Sequence, residues 1–317
     1  MLGKTSDKKW NLGAFRELLL VGVVLLLCVI WTIMNPQFLS LNNITNILRQ
    51  GSYTAIAAVG MTMVIIIGEI DLSAGSLVCA SGLVGALVCK HTDSVLLAVL
   101  AALLVGALVG LMNGLLCALG KLPGFIASLA SMTILRGLAY IVTEGNSVVW
   151  GNDTFTKIGT GYVGIIPVPV IIMLAAIIFG TLLTTKFRFG RYIYAVGGNS
   201  EASRWSGIPV EKVKITVYMI MGVLTSIAGL IITARLGSGQ PSAGLNFEMD
   251  CITAAVVGGT SMSGGRGKVI GTIVGVLLLT VLTNGMTLVG MNTYWQQVLK
   301  GIIIVVSVLA DTRGKKN

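Results

Sequence analysis

The sequence contains no G-x-x-x-x-G-K-[ST] loop, so the chain does not bind ATP through that phosphate cradle. It has one histidine, His91, which rules out a zinc site or a catalytic triad built on histidines. Its five cysteines (Cys28, Cys79, Cys89, Cys117 and Cys251) form no C-x-x-C pair and fall in or at the edges of apolar segments. There a cysteine acts as a small hydrophobe rather than a redox or metal ligand. Paired acids in a plausible cleft, a metal-ligand cluster and an activated nucleophile are all missing, so an enzyme, a catalytic residue and a metal site are not expected. Charge is scarce too, with 11% Asp, Glu, Lys and Arg against roughly 25% in soluble domains.

What is there is hydrophobic, 55% of the chain. Measured against the roughly 20 apolar residues a spanning helix needs, about ten segments qualify. They cover 18–34, 50–67, 72–89, 94–116, 124–143, 167–184, 215–234, 251–264, 268–288 and 294–309. The expected fold is an all-α, polytopic transmembrane helix bundle in a lipid bilayer. The third, fourth, eighth and ninth segments are interrupted by Gly-rich joints, so some spans are expected to be broken or re-entrant. The first segment follows Lys4, Lys8, Lys9 and Arg16 and precedes Asn35-Pro36-Gln37-Phe38, which lacks small cleavage-site residues. It reads as an uncleaved anchor rather than a signal peptide.

The net charge of +10 does not mark a nucleic-acid binder, because the basic residues gather between membrane-length runs. An even number of spans puts both termini on one side, and sixteen basic residues share that side: those of the tails, Lys121, six in 186–214, Arg266 and Lys268. Four lie opposite, Arg49, Lys90, Lys157 and Arg235. The positive-inside rule therefore predicts a cytoplasmic N-terminal tail (1–17), a cytoplasmic loop (185–214) and a cytoplasmic C-terminal tail (310–317) around a single membrane domain of residues 1–317. No soluble stretch of domain size exists. Gly159, Gly161 and Gly164 match G-x-G-x-x-G, but no strand signal precedes them, so the match is chance.

The loop 186–214 is the longest polar interruption, and it is punctuated like a folded element. Asn199 suits an N-cap, Glu201 the first turn, Gly207 a C′ position, and Pro209 forbids continuation. A helix of about two turns is marginal alone and needs something to pack on. Elsewhere, Gly106, Gly110 and Gly114 repeat every four residues, as do Gly267, Gly271 and Gly275. Such ridges allow close helix packing or a sliding surface, and their similarity hints at an internal repeat.

The joint 68–76 holds two carboxylates, Glu69 and Asp71, with Ser73 and Ser76. Burying both without partners is costly. Either the pair lies at the surface with Asp71 capping the next helix, or it lines a watery path at a broken helix. Arg136 and Lys300 fall inside apolar segments, where snorkelling, pairing and pore lining are the alternatives. Glu248 and Asp250 read as solvated. Asn284, Asn292, Gln296 and Gln297 cluster near segment ends and suit hydroxyl binding.

Several stretches together resemble a known family: Asn35-Pro36-Gln37-Phe38 with Asn46-Ile47-Leu48, Ala58-Val59-Gly60-Met61-Thr62, Ile70-Asp71-Leu72-Ser73-Ala74-Gly75-Ser76, and Phe189-Gly190-Arg191-Tyr192-Ile193-Tyr194-Ala195 with Gly197-Gly198-Asn199. Ser206-Gly207-Ile208, Gln240-Pro241-Ser242-Ala243-Gly244 and Gly258-Gly259-Thr260-Ser261 extend the likeness over nearly the whole chain. The chain resembles the permease subunits of bacterial ABC importers for simple sugars, of the ribose and xylose types. It departs at Ala74, where Val is usual, and Glu69 is closer to the xylose type. The resemblance implies a multi-pass protein of the bacterial inner membrane that binds no cofactor itself. Its implied partners are a second permease copy (identical or a close paralogue), a separate ABC subunit that hydrolyses ATP, and an extracytoplasmic sugar-binding protein. It implies an ATPase-coupling segment at Gly198, Asn199, Glu201, Ala202, Ser203, Arg204 and Gly207. Glu69, Asp71, Ser73, Ser76, Arg136, Asn284, Gln296 and Lys300 are the candidates for the translocation path. The other function class that fits the hydropathy is a stand-alone secondary transporter or channel for a small polar solute, which would need an ion-coupling charge deep in the membrane. A structural or sensory protein fits less well, since no signalling domain is present.

Overall fold

The structure, a computed structural model, describes the backbone of residues 12–313 and the side chains of 18–309; the tails 1–17 and 310–317, with their predicted cytoplasmic charges, lie outside the described side chains. In chain order the helices are α1 (Leu12–Met34), α2 (Leu41–Ile66), α3 (Ala74–Thr92), α4 (Val95–Ala118), α5 (Gly124–Thr143), α6 (Asp153–Thr160) and α7 (Val168–Thr185). They continue with α8 (Arg188–Gly198), α9 (Ser200–Trp205), α10 (Val210–Leu236), α11 (Phe247–Val257), α12 (Val269–Leu288) and α13 (Thr293–Arg313). A small antiparallel hairpin pairs β1 (Tyr162–Val163) with β2 (Ile166–Pro167). The all-α bundle holds, and each of the ten apolar segments contains a helix.

Full crossings are fewer than helices. Among the described residues, α3, α4, α5, α7, α10 and α12 are both long and apolar enough to span a bilayer. Helix α11 has 11 residues, about 16 Å of rise, roughly half of a ~30 Å hydrocarbon layer. It is the broken helix that the Gly-rich punctuation foreshadowed. The polar loops hold three helices of their own, α6, α8 and α9, of which only the last is legible in the sequence.

Helix α2 is the buried axis of the bundle, with residues 54–66 enclosed on all sides. Its neighbour α10 is almost as deeply packed and crosses α4 through glycine. A Cβ at Gly106 would lie 2.8 Å from the carbonyl carbon of Gly222, and one at Gly114 would lie 2.7 Å from Cα of Ile215. The second ridge works likewise, with Gly271 against Gly258 and Gly275 against Ala254. Apart from Gly267, which meets the Thr260 side chain, the glycines of both stripes approach neighbouring backbone, where any side chain forces the segments apart.

The segment joining α10 to α11 does not stay at the surface. It starts on the hairpin side, where Gly239 exchanges two backbone hydrogen bonds of 2.8 Å with Val148. It then runs along α3: Gly239 packs on Leu83 and Ala86, the Cys79 thiol donates to the Pro241 carbonyl at 3.3 Å, and Gly244 meets Gly75. Helix α11 begins there. The N-termini of α3 and α11 thus converge inside the bundle.

Candidate functional site

Two cavities border this convergence and another lies at the α2–α3 joint, and some of the sequence-predicted residues line them. The first, about 460 Å³, has walls of Ser76, Met132, Arg136, Tyr140, Asn246 and Glu248. Arg136 reaches from α5 and donates to the carbonyl oxygens of Pro241 (2.8 Å) and Ala243 (2.7 Å), pinning the inserted segment. Glu248, in the first turn of α11, is 7% exposed, and its carboxylate lies against Gly75, so closely that any Cβ there would collide with it. Its burial corrects the expectation that it is solvated: the re-entrant segment carries it inward, where an acid suits the partial positive charge of a helix N-terminus. Asn246 holds a left-handed backbone (φ +62°), which turns the segment into the helix.

Behind this cavity residues 71–73 of the joint form a buried polar network with Asn113, Ser128 and Ser131. Asp71, 2% exposed, accepts hydrogen bonds from the Ser73 backbone N–H (2.8 Å) and hydroxyl (2.5 Å). The Asn113 amide donates to the Ser73 oxygen at 3.1 Å, and Ser131 donates to Asn113. Leu72 N–H is taken by Ser128 Oγ at 2.9 Å. Asp71 is therefore buried rather than at a surface, and the Ser73 hydroxyl and N–H are its hydrogen-bond donors. It folds the start of α3 through its neighbour Ser73 rather than by direct exposure at a surface.

Glu69 has a different fate. Its carboxylate pairs with Lys214 of α10 at 2.5 Å and accepts from Gly124 N–H, the first residue of α5, at 2.9 Å. This one side chain ties together the α2–α3 joint, α5 and α10. It borders a second cavity of about 370 Å³, whose walls include Lys121, Ser200, Glu201, Arg204 and Lys214. The short helix α9 therefore faces the same space as the joint.

The punctuation of α9 matches its sequence. The Asn199 side chain accepts from Ala202 N–H at 2.9 Å. At the other end Gly207 has φ +80°, its N–H bonds the Arg204 carbonyl, and Ile208 N–H bonds the Ser203 carbonyl, both at 3.0 Å. That is the paired C-terminal bonding of a Schellman motif, which requires a residue without Cβ strain at C′. Ser203 is buried, while Glu201, Ala202 and Arg204 are exposed and the Trp205 side chain is 90% exposed. Arg204 pairs with Glu211, which fastens α9 to the start of α10. Gly198 closes α8, leaving open space where its Cβ would be.

The third cavity, about 310 Å³, lies between α11 and α13 and is bordered by Asn246, Asp250, Gln296, Gln297 and Lys300. Lys300 and Asp250 form an ion pair of 2.6 Å, so Asp250, expected to be solvated, is partnered and part-buried. Gln296 donates to Thr287 Oγ1 at 3.1 Å. Asn284 is not drawn into any of these walls: it exchanges two side-chain hydrogen bonds of 2.9 Å with Asn43, locking α12 to α2. The residues missed in the sequence are Tyr140, Asn246, Glu248 and Lys214. One signal for Glu248 was present: a Gly, Ser and Pro-rich stretch at 237–244 before an apolar run too short to span.

Comparison with known proteins adds the family. Residues 43–308 match the family described as "Branched-chain amino acid transport system / permease component". The chain is 42% identical to the ribose import permease protein RbsC of Haemophilus influenzae, covering 97% of each chain. It is 46% identical to the RbsC protein of Bacillus subtilis over 91% of this chain and 90% of that one. The xylose transport system permease protein XylH of Haemophilus influenzae is 35% identical, with 98% of both chains covered. No solved structure matches.

Proposed function

Because this chain belongs to the branched-chain amino acid transport system / permease component family, we propose that it is the membrane subunit of an ATP-driven importer of a simple sugar, ribose or a related pentose. The observation that carries the sugar assignment is the identity to relatives named ribose import permease over more than nine-tenths of the chain. A permease of such an importer works with a separate ATP-hydrolysing subunit and a substrate-binding protein, and it pairs with a second permease. The distribution of basic residues supports a cytoplasmic position for both termini and for α8 and α9 in the inner membrane of a bacterium.

In this scheme α9 is the lever. It is short, capped at both ends and presents Glu201, Arg204 and Trp205 outward, the form a docking helix needs to sit in a cleft of the ATPase. Its movement reaches the membrane along two routes: Arg204 to Glu211 at the foot of α10, and the shared cavity wall to Glu69 and Lys214. Both routes end on α10 and the α2–α3 joint, whose far end is the convergence of α3 with α11. Closure of the ATPase on ATP draws two such levers together, and the cavity beside Ser76, Arg136 and Glu248 is the space that changes access. Asp71, Ser73, Gln296 and Lys300 support that path from behind rather than lining its open face.

One observation favours a second reading. Asp71 and Glu248 are buried carboxylates, the feature an ion-coupled transporter acting alone requires. The test is purification from the native membrane through an affinity tag on this chain. An ATP-hydrolysing subunit is expected to co-purify, and to be lost when Glu201 and Arg204 are both changed to Ala. Recovery of the chain without any ATPase, under conditions that keep it folded, would favour the stand-alone transporter.

A further inference from the structure

The cavity walled by Ser76, Tyr140, Asn246 and Glu248 has one feature that packing does not explain. Ser76 is 1% exposed, and its hydroxyl has no protein hydrogen-bond partner. A buried hydroxyl without a partner is normally destabilising, and the neighbouring serines Ser73 and Ser128 are both bonded. Ser76 lies in the first turn of α3 and on the wall of the cavity. Glu248 occupies the equivalent turn of α11, directly across Gly75. The two helix N-termini thus bring one unused hydroxyl and one buried carboxylate to the same wall.

Resting on the importer reading above, we propose that this cavity is the transit subsite for the sugar, and that Ser76 and Glu248 are its specificity-determining residues, hydrogen-bonding successive hydroxyls of a neutral polyol. The wall carries both signs of charge, Arg136 and Glu248, so a neutral solute enters without a net electrostatic preference. Volume fits as well: about 460 Å³ falls within the ~300–1,000 Å³ of small-molecule pockets and leaves room for a pentose with water. Tyr140 offers an aromatic face to the apolar side of a sugar ring, and Asn246 offers an amide. Arg136 acts as a positioning residue, because its two donor bonds go to the Pro241 and Ala243 carbonyls that hold the inserted segment.

The substitution Ser76→Ala separates this role from a structural one. Removing a hydroxyl that bonds nothing in the protein should leave folding unchanged or slightly improved. The experiment reconstitutes the permease with its ATPase and binding protein in vesicles and counts molecules of radiolabelled ribose moved per ATP hydrolysed. Ser76→Ala and Glu248→Gln are each expected to lower that ratio about fivefold, the loss of one useful hydrogen bond. Ratios unchanged in both variants would overturn the proposal while leaving the importer reading in place. Absence of ATP-dependent uptake by the unmodified complex would overturn the importer reading and this proposal with it.

Discussion

The ion pair between Glu69 and Lys214 gives the sharpest test of how the α9 side communicates with the membrane. The two side chains retain 14% and 19% of their exposure, so the pair stands much nearer the buried than the surface limit. Exposed pairs contribute roughly 0–1 kcal/mol, and removing one member of a buried pair costs about 3–5 kcal/mol because the survivor is left unpaired. With some water still reaching the pair, Glu69→Ala should cost about 2–4 kcal/mol, including the acceptor lost by Gly124 N–H. Glu69→Gln keeps that acceptor and loses only the charge. The two single variants Glu69→Gln and Lys214→Met each strand one charged or polar group, whereas the double variant strands no charge. A coupling energy of about 1.5 kcal/mol or more is therefore expected in the cycle, measured as unfolding in mixed detergent micelles. The same singles should lower sugar moved per ATP, since the pair borders the cavity that α9 also faces. Single effects that add in the double within about 0.5 kcal/mol would refute the idea that this pair is an energetic unit.

Three further outcomes follow from particular contacts. Gly207→Arg forces a side chain into a left-handed backbone (φ +80°) at a cost of about 1–2 kcal/mol, and should uncouple ATP hydrolysis from uptake with the bundle still folded; normal uptake by this variant would remove α9 as the lever. Gly110→Leu should abolish stable expression, because its Cβ would already lie 2.8 Å from Cα of Met219, while Gly22→Leu, with nothing within 4 Å, should be silent in the same thermal-stability assay. Lys300→Met leaves Asp250 unpaired beside α13 and should lower stability by about 1–3 kcal/mol, with Asp250→Asn restoring most of it; equal stability of Lys300→Met and the parent would mean that the pair contributes nothing.

Much of the architecture was legible because membrane physics is severe. Apolar runs of bilayer length located the ten helical segments, and the glycine stripes turned out to be the α4–α10 and α11–α12 contacts. The caps of helix α9 were legible to the residue, at Asn199 and at the left-handed Gly207, though the helix itself is one residue shorter than they allow. The route of residues 237–246 was not. A turn-rich stretch beside a span looks like an outer loop unless the shortness of the next apolar run is weighed, and so Glu248 and Asp250 were placed in water. Lys214 was invisible for another reason: its partner lies 145 residues earlier, and nothing local announces the pair. Asn284 had the right chemistry for a sugar but a nearer use, the reciprocal bond to Asn43.

The central claim is that this chain supplies the path and the lever but not the motor. It is tested most directly in sealed vesicles holding the permease with or without its ATPase, supplied with ribose-loaded binding protein on one face and ATP on the other. Concentrative ribose uptake is expected only when ATPase, binding protein and ATP are all present, and none with an ion gradient alone. Ribose accumulation by the permease alone, driven by a proton or sodium gradient, would contradict it.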